Sequence, residues 1–526
     1  MLRLPPAGTH APEMFETYEQ QTQLMYDVMT LAFQTDSTRC FRRRFEARSR
    51  AMARNFPPRG ATGLSVSLSS LTYPAVFFPM PKPIRAAFLF AFALVTLHAR
   101  ADGEATTFKF DFGSGAVAPG YTPVTPDLAY TAERGYGFEP GPPATAVDRG
   151  GDPLRGDFIT SDQPFLFSVK VPEGNYRVTV TLGDAAGESV TTVKAESRRL
   201  MLEKVVTAKG EFAARSFTVN VRNAKVPPPP KNAPGNDHVE LNDRENGPNG
   251  LVYHWDDKLT LEFGNTRPCV CAVELTKVDD AITVFIAGDS TVTDQPREPG
   301  NSWGQMLPRW FTPEVAVANH AESGETLKSF ITELRFDKLL SQMKAGDYLL
   351  VQFGHNDEKA SWPQTYVEAS TTYQAYLKVF VAEARRRGAT PVLISPVQRR
   401  TFDDHGKIRN SHGGYPDAVR QVAKEENVAF IDLSALTTTL YETLGPAKAP
   451  LAFSGSGERR DATHHNNYGS YEIAKGVVQG LRDNHLDLAK FIVGDFPGFD
   501  PAHPDNVETW TIPASLGRAT QAPRGN

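Results

Sequence analysis

Apolar and polar residues alternate along the first half of the chain. Phe108, Phe110 and Phe112 are separated by polar residues, and Phe165, Phe167, Val169 and Val171 recur with the same period of two. A Pro172-Glu173-Gly174 turn then leads to Tyr176, Val178, Val180 and Leu182. This stretch predicts a hairpin with one buried face. Leu259, Leu261 and Phe263 predict a later strand, and Cys269 to Leu275 another. The stretch 226–250, rich in Pro, Asn, Asp and Gly, predicts a long surface loop. Many short alternating strands without helical segments predict a β-sandwich over 104–279.

The pattern changes after Asp280. Short apolar strands are predicted at Thr283–Ala287, Glu314–Asn319, Tyr348–Phe353, Pro391–Ser395 and Val428–Leu433. Helical stretches separate them at Thr326–Met343, Thr372–Arg387, Tyr415–Glu426 and Tyr468–Asp483. Apolar strands alternating with helices predict an α/β domain over 281–492, its parallel sheet covered on both faces in three layers. Residues 493–526, rich in Pro, Asp and Asn, predict a loosely ordered, extended tail.

Composition refines this division. A chain of 526 residues is too long for one ordinary domain, and 41 Gly with 40 Pro suit a turn-rich β region. The net charge of −5 argues against a nucleic-acid or anionic-membrane partner. Lys82 and Arg85 precede an apolar stretch from Ala86 to Leu97, and Ala99-Arg100-Ala101 fits a small-x-small cleavage site. Residues 80–101 are therefore expected to be a signal peptide, and the protein to be secreted or periplasmic without stable membrane insertion. Residues 1–79, Arg-rich around Arg42, Arg43 and Arg44, are then expected to be a disordered upstream extension from a mis-assigned start, with Met80 the true one. Cys269 and Cys271 alternate with Val270 and Ala272, which predicts buried packing; a metal site would need further ligands at suitable spacing.

Three loops follow the first three strands of the α/β half, on the edge where open α/β sheets place ligands. They carry Gly288-Asp289-Ser290-Thr291, Asn319-His320-Ala321-Glu322-Ser323-Gly324 and Gly354-His355-Asn356-Asp357. A fourth segment reads Asp461-Ala462-Thr463-His464. Each alone is weak. Together they supply the parts that acyl transfer requires: Ser290 as nucleophile, His464 as its base, and Asp461 to hold the imidazole. No cofactor or metal is expected.

This ordered set resembles the SGNH (GDSL-type) hydrolases over about 281–492. The strings IAGDSTV, SWGQ, NHAESGET, GDYLLVQFGHND and DATHHNNYGSYEIA are similar to rhamnogalacturonan acetylesterases in particular. The resemblance implies a flavodoxin-like three-layer α/β/α fold. It also implies an oxyanion hole made by the backbone N–H groups of Ser290 and Gly324 and the side-chain amide of Asn356. One position departs: a basic residue is expected after Gly324, where Glu325 stands. The β half resembles the galactose-binding-like, jelly-roll carbohydrate modules attached to bacterial polysaccharide esterases.

The neighbours admit more than one role. Asp289 is expected to brace its turn, His355 and Asp357 to support the Asn356 loop, and His465 to pack. Trp303 is a candidate sugar-site residue with core packing as its alternative. Arg399 and Arg400 are candidates for meeting uronic-acid carboxylates, with a solvated surface role as alternative. Tyr130, Tyr136, Tyr253 and Trp255 are candidate sugar platforms on the β half, more often packing residues. The expected function is a monomeric carbohydrate O-acetylesterase acting on acetylated plant cell-wall polysaccharide, most simply rhamnogalacturonan. Xylan acetylesterase, another GDSL-type lipase or esterase, and a non-catalytic carbohydrate-binding protein are the alternatives. An α/β-hydrolase is disfavoured because no Gly-x-Ser-x-Gly elbow is present.

Overall fold

A computed structural model describes residues 107–227, 237–245, 252–456 and 459–517. The expected extension over 1–79 and signal peptide over 80–101 lie outside the described residues.

The α/β half carries five parallel strands whose spatial order is Ala429–Ile431, Thr390–Ile394, Tyr348–Gln352, Ile282–Gly288, Val315–Asn319. In chain order this is the 2-1-3-4-5 arrangement of flavodoxin-like sheets, with its switch point beside the Ile282–Gly288 strand. Val284, Ile286, Leu350, Val392 and Ile394 pack with Trp303, Leu440, Tyr471 and Val477 on one face. Phe285, Leu349, Val351 and Leu393 alternate with them and are buried on the other. Burial on both faces is why these strands read as continuous apolar runs.

The two halves are not separate at the level of the sheet. The Phe212–Val221 strand pairs in parallel with Val315–Asn319, through Thr218 with Ala316 and Val219 with Val317. The five parallel strands thereby continue into strands of the β half, giving one mixed twelve-stranded sheet. A second sheet of five strands covers the β half. Between the two lies a core of Phe110, Phe112, Phe165, Phe167, Val178, Val180, Leu261 and Phe263.

This arrangement corrects the expected hairpin. Phe165–Lys170 joins the five-stranded sheet and pairs with Lys258–Arg267, whereas Gly174–Gly183 joins the large sheet beside Phe212–Val221. Their apolar faces meet across the core rather than side by side, a distinction to which period-two patterning is blind. Cys269 and Cys271 are buried against Phe158, as free thiols that burial pushes upward, Cys269 to about 11.

Other differences have local causes. The expected helix over 326–343 is two, Leu327–Thr332 and Arg335–Gln342, broken at Leu334 with φ 63°. The second helix buries Arg335 and Lys338 against the β half. A further helix, Leu433–Lys448, starts on Asp432, whose side chain accepts from Ala435 N–H, and bends at Gly445 with φ 68°. The expected surface loop over 226–250 is in part interior: Val226 and Val239 pack on Trp255, and Glu245 is buried. The described part of the tail, residues 493–517, is packed as well. Phe496 is buried, Trp510 and Ile512 pack on the α/β core, and Lys194 Nζ donates to Pro513 O at 2.8 Å and to Ser515 Oγ at 2.6 Å.

Candidate active site

Ser290 sits where the Ile282–Gly288 strand ends. Asp289 Oδ1 accepts from Thr291 N (2.9 Å) and Thr291 Oγ1 (2.8 Å), closing a tight turn that turns the chain around Ser290. Gln295 Nε2 donates to Ser290 O at 2.8 Å and fixes the turn from its other side. Asn319, ending the next strand, donates through Nδ2 to Val292 O at 2.7 Å and to Asp294 Oδ1 at 2.9 Å, which ties the first loop to the second.

His464 comes from the opposite end of the domain sequence, 174 residues on, and its Nε2 lies 2.8 Å from Ser290 Oγ. His464 Nδ1 lies 2.7 Å from Asp461 Oδ2. Asp461 Oδ1 accepts the backbone N–H groups of Thr463 (2.7 Å) and His464 (3.1 Å). Burial disfavours the Asp461 charge, but these donors and the His464 ring outweigh it and hold the carboxyl well below the usual range. An ionised carboxylate only accepts, so Nδ1 carries the hydrogen and Nε2 is left to accept from Ser290. Arg400 stands behind this segment: its N donates to Ala462 O at 2.7 Å, and Nη2 to Asp461 O at 3.3 Å.

The second and third loops meet beside Ser290. Asn356 Nδ2 donates to Glu325 O at 3.0 Å, and Asp357 accepts from Leu327 N (2.9 Å) and Gly354 N (3.0 Å). Burial, more than these bonds, governs Asp357 and pushes its carboxyl up to about 8. Gly324 has φ 88°, a conformation that favours glycine, and a Cβ there would meet nothing within 4 Å. His355 Nδ1 lies 3.2 Å from Asp289 Oδ2, and burial keeps the ring neutral by lowering it to about 4. His465 turns away from Ser290 to meet Tyr441 OH at 2.6 Å.

The structure thus brings Ser290, Asp461 and His464 into contact and sets Gly324 and Asn356 on adjoining loops. Trp303 does not join them: it is 1% exposed, packs in the α/β core and donates to Gln352 Oε1 at 2.8 Å. Its neighbours at Val292 and Met306 fill the space around it, so core packing won over a sugar site. Arg399 and Arg400 are half-buried and committed, the first to Glu358 Oε1 at 2.6 Å and the second behind Asp461. On the β half, Tyr253 and Trp255 are buried, and Lys258 lies over the rings of Tyr130 and Tyr253.

Residues that sequence reading missed lie around the same loops. Arg244, from the β half, reaches Ser323 Oγ and Gln295 Oε1. Trp362 is 39% exposed, with Lys359 Nζ 4.2 Å from its ring centroid and 3.1 Å from Asn356 Oδ1. Glu245, His254 and Glu322 place ligand-type atoms within 4.8 Å of one another. That cluster is served by cations of its own, since Arg335 grips Glu245 through both terminal nitrogens at 2.8 and 2.6 Å and Arg244 lies 3.4 Å from Glu322. Apart from Glu322, which stands in the Asn319–Gly324 loop, none of these residues belongs to a local motif; tertiary structure assembles them.

Comparison with known proteins identifies two families along the chain. Residues 286–470 match the GDSL-like lipase/acylhydrolase family, and residues 108–226 match the β-agarase/YXIM esterase-like, galactose-binding domain-like family. The rhamnogalacturonan acetylesterase RhgT of Bacillus subtilis is 40% identical over 223 residues, covering 40% of this chain and 94% of the relative. The probable rhamnogalacturonan acetylesterase YesY of the same organism is 37% identical over 213 residues, covering 40% of this chain and 97% of the relative. The uncharacterized esterase YxiM of that organism is 27% identical over 395 residues, spanning 72% of this chain and 91% of its own. The chain belongs to the GDSL-like lipase/acylhydrolase family and is a carboxylic ester hydrolase, its α/β half preceded by a galactose-binding-like β domain.

Proposed function

We propose that the protein is an exported carbohydrate O-acetylesterase that removes acetyl groups from acetylated rhamnogalacturonan by a Ser-His-Asp acyl-enzyme mechanism. The observation that carries the reading is the continuous chain from Ser290 Oγ through His464 to Asp461, at 2.8 and 2.7 Å.

The chemistry follows from that chain. His464 Nε2 takes the Ser290 proton as Oγ attacks the acetyl carbonyl carbon, and ionised Asp461 stabilises the imidazolium that forms. The carbonyl oxygen becomes an oxyanion beside the N–H groups of Ser290 and Gly324 and the Asn356 amide. Asn356 spends one N–H on Glu325 O and has a second to offer. Collapse expels the sugar oxygen, which takes the proton from His464 and leaves acetyl-Ser290. Water, activated by the now neutral His464, then releases acetate.

Three observations favour an acetylated sugar as substrate. The rim is polar, with Gln295, Glu322, Ser323, Asn356 and Lys359 around the nucleophile, which suits hydroxyl-rich partners better than a long acyl chain. Exposed Trp362 offers an aromatic face of the kind on which sugar rings stack. The relatives RhgT and YesY carry rhamnogalacturonan acetylesterase names. Export rests on the basic and apolar segments of residues 80–101.

Acetate release from acetylated rhamnogalacturonan, acetylated xylan and an aryl acetate tests the reading. Release from the pectic polymer at the highest kcat/KM is the expected result. Release from xylan or aryl acetate alone would keep the esterase and remove the pectic substrate.

A further inference from the structure

The α/β half lacks the basic residue expected after Gly324; Glu325 occupies that place, buried and 3.3 Å from Arg335 Nε. Arg399 and Arg400, the other cations considered for a substrate carboxylate, are held by Glu358 and by the carbonyls behind Asp461. A cation is nevertheless present at this rim, and it comes from the β half. Arg244 Nη1 donates to Ser323 Oγ at 2.5 Å, immediately before Gly324. Arg244 Nη2 donates to Gln295 Oε1 at 3.2 Å, and Gln295 in turn holds the carbonyl of Ser290. The guanidinium therefore adjoins two of the loops that surround the nucleophile.

Resting on the proposed pectic reading, we infer that Arg244 is a specificity-determining residue, lent by the β domain, that binds a uronic-acid carboxylate of the substrate beside the scissile acetyl ester. Four features support it. Arg244 keeps 18% side-chain exposure, while Arg335, the other Arg facing this cluster, keeps 0%. Its contacts are single bonds to a hydroxyl and an amide plus a 3.4 Å approach to Glu322, leaving part of its five-donor fork to pair with a planar carboxylate. Burial raises the Glu322 carboxyl, which works against its ion pair with Arg244. The space beside Gly324 is open, with nothing within 4 Å of where a Cβ would stand.

The backbone that carries Arg244 is anchored for such a role. Asn242 Oδ1 accepts from Arg244 N at 2.9 Å, and the adjacent Glu245 is clamped by Arg335. The β domain thus contributes to the active site directly, through one residue whose loop is pinned to the oxyanion side of the cleft.

The test compares wild type, Arg244→Met and Arg244→Lys on acetylated rhamnogalacturonan oligosaccharides, which carry uronic acids, and on an aryl acetate, which carries none. The ratio of kcat/KM on the acidic oligosaccharide to kcat/KM on the aryl acetate is expected to fall about 10- to 100-fold in Arg244→Met, the size of a charged hydrogen bond. The change should lie mainly in KM, Arg244→Lys should recover part of it, and added salt should weaken wild type more than Arg244→Met. An unchanged ratio, whether through no loss or through equal loss on both esters, would overturn the inference and leave the pectic reading standing. A wild type inactive on the acidic oligosaccharide but active on the aryl acetate would overturn both.

Discussion

At the ends of the α/β strands, Ser290, His464 and Asp461 are joined by short hydrogen bonds, and Asn356 stands on an adjoining loop held to Glu325 O. At the seam with the β-sandwich, several buried contacts pair one charged residue from each half. Arg199 Nε meets Asp294 Oδ2 at 2.8 Å, and Arg335 grips Glu245. The first region spends its buried polar groups on chemistry, whereas the second spends them on fixing how two domains sharing one sheet are joined. Substitutions should therefore separate cleanly: rate without stability at the strand ends, stability before rate at the seam.

The largest effect that would break this contrast is at the nucleophile. Ser290→Ala should lower kcat by on the order of 10^5- to 10^6-fold, while its urea unfolding midpoint stays at the wild-type value. At the seam, Arg335→Met strands Glu245 and Glu325 as buried, poorly paired carboxyls and should cost about 3–5 kcal/mol in urea unfolding. Adding Glu245→Leu to it should recover part of that loss, because replacing both partners removes the unpaired charge; no recovery would mean that the pair is not the cause. Between the regions in kind, Asn356→Ala should reduce kcat about 10²- to 10³-fold through loss of one oxyanion donor, read as kcat with near-constant KM.

A smaller effect concerns pH. Burial lowers His254 to about 3, His355 to about 4 and His465 to about 3, whereas unfolded histidine titrates at about 6.5. Between these values the unfolded chain binds more protons than the folded one, so stability is full above about pH 6.5 and is lost as pH falls towards 4. Each such ring contributes at most about 1.4 kcal/mol per pH unit. Urea titrations from pH 7 to 4.5 should show this slope, and His465→Gln should make it shallower.

These two regions were not equally legible in the sequence. Ser290, Asn356 and Asp461 with His464 sit in short motifs at strand ends, because catalysis demands fixed residue types on fixed loops. The parallel strands were equally plain, since burial on both faces makes continuous apolar runs at Val284–Ala287 and Leu349–Val351. The seam left no local trace: Arg335 and Glu245 are 90 residues apart, and Arg244 lies 79 residues before Ser323. Phe165–Lys170 and Gly174–Gly183 were misjoined because alternation reports which face is buried and not which sheet holds the strand. Trp303 was ambiguous for a related reason, as one aromatic serves a core or a sugar equally well until its neighbours are placed.

The central claim is that Ser290 is the nucleophile activated by His464, and covalent capture tests it most directly. The protein should be treated with an organophosphate ester that phosphorylates activated serines, and its intact mass and tryptic peptides measured. The account predicts one adduct, on the peptide containing Ser290, absent in Ser290→Ala and strongly slowed in His464→Ala, with ester hydrolysis lost in step. An unmodified Ser290 in a protein that has nonetheless lost its esterase activity, or an esterase that survives Ser290→Ala, would contradict it.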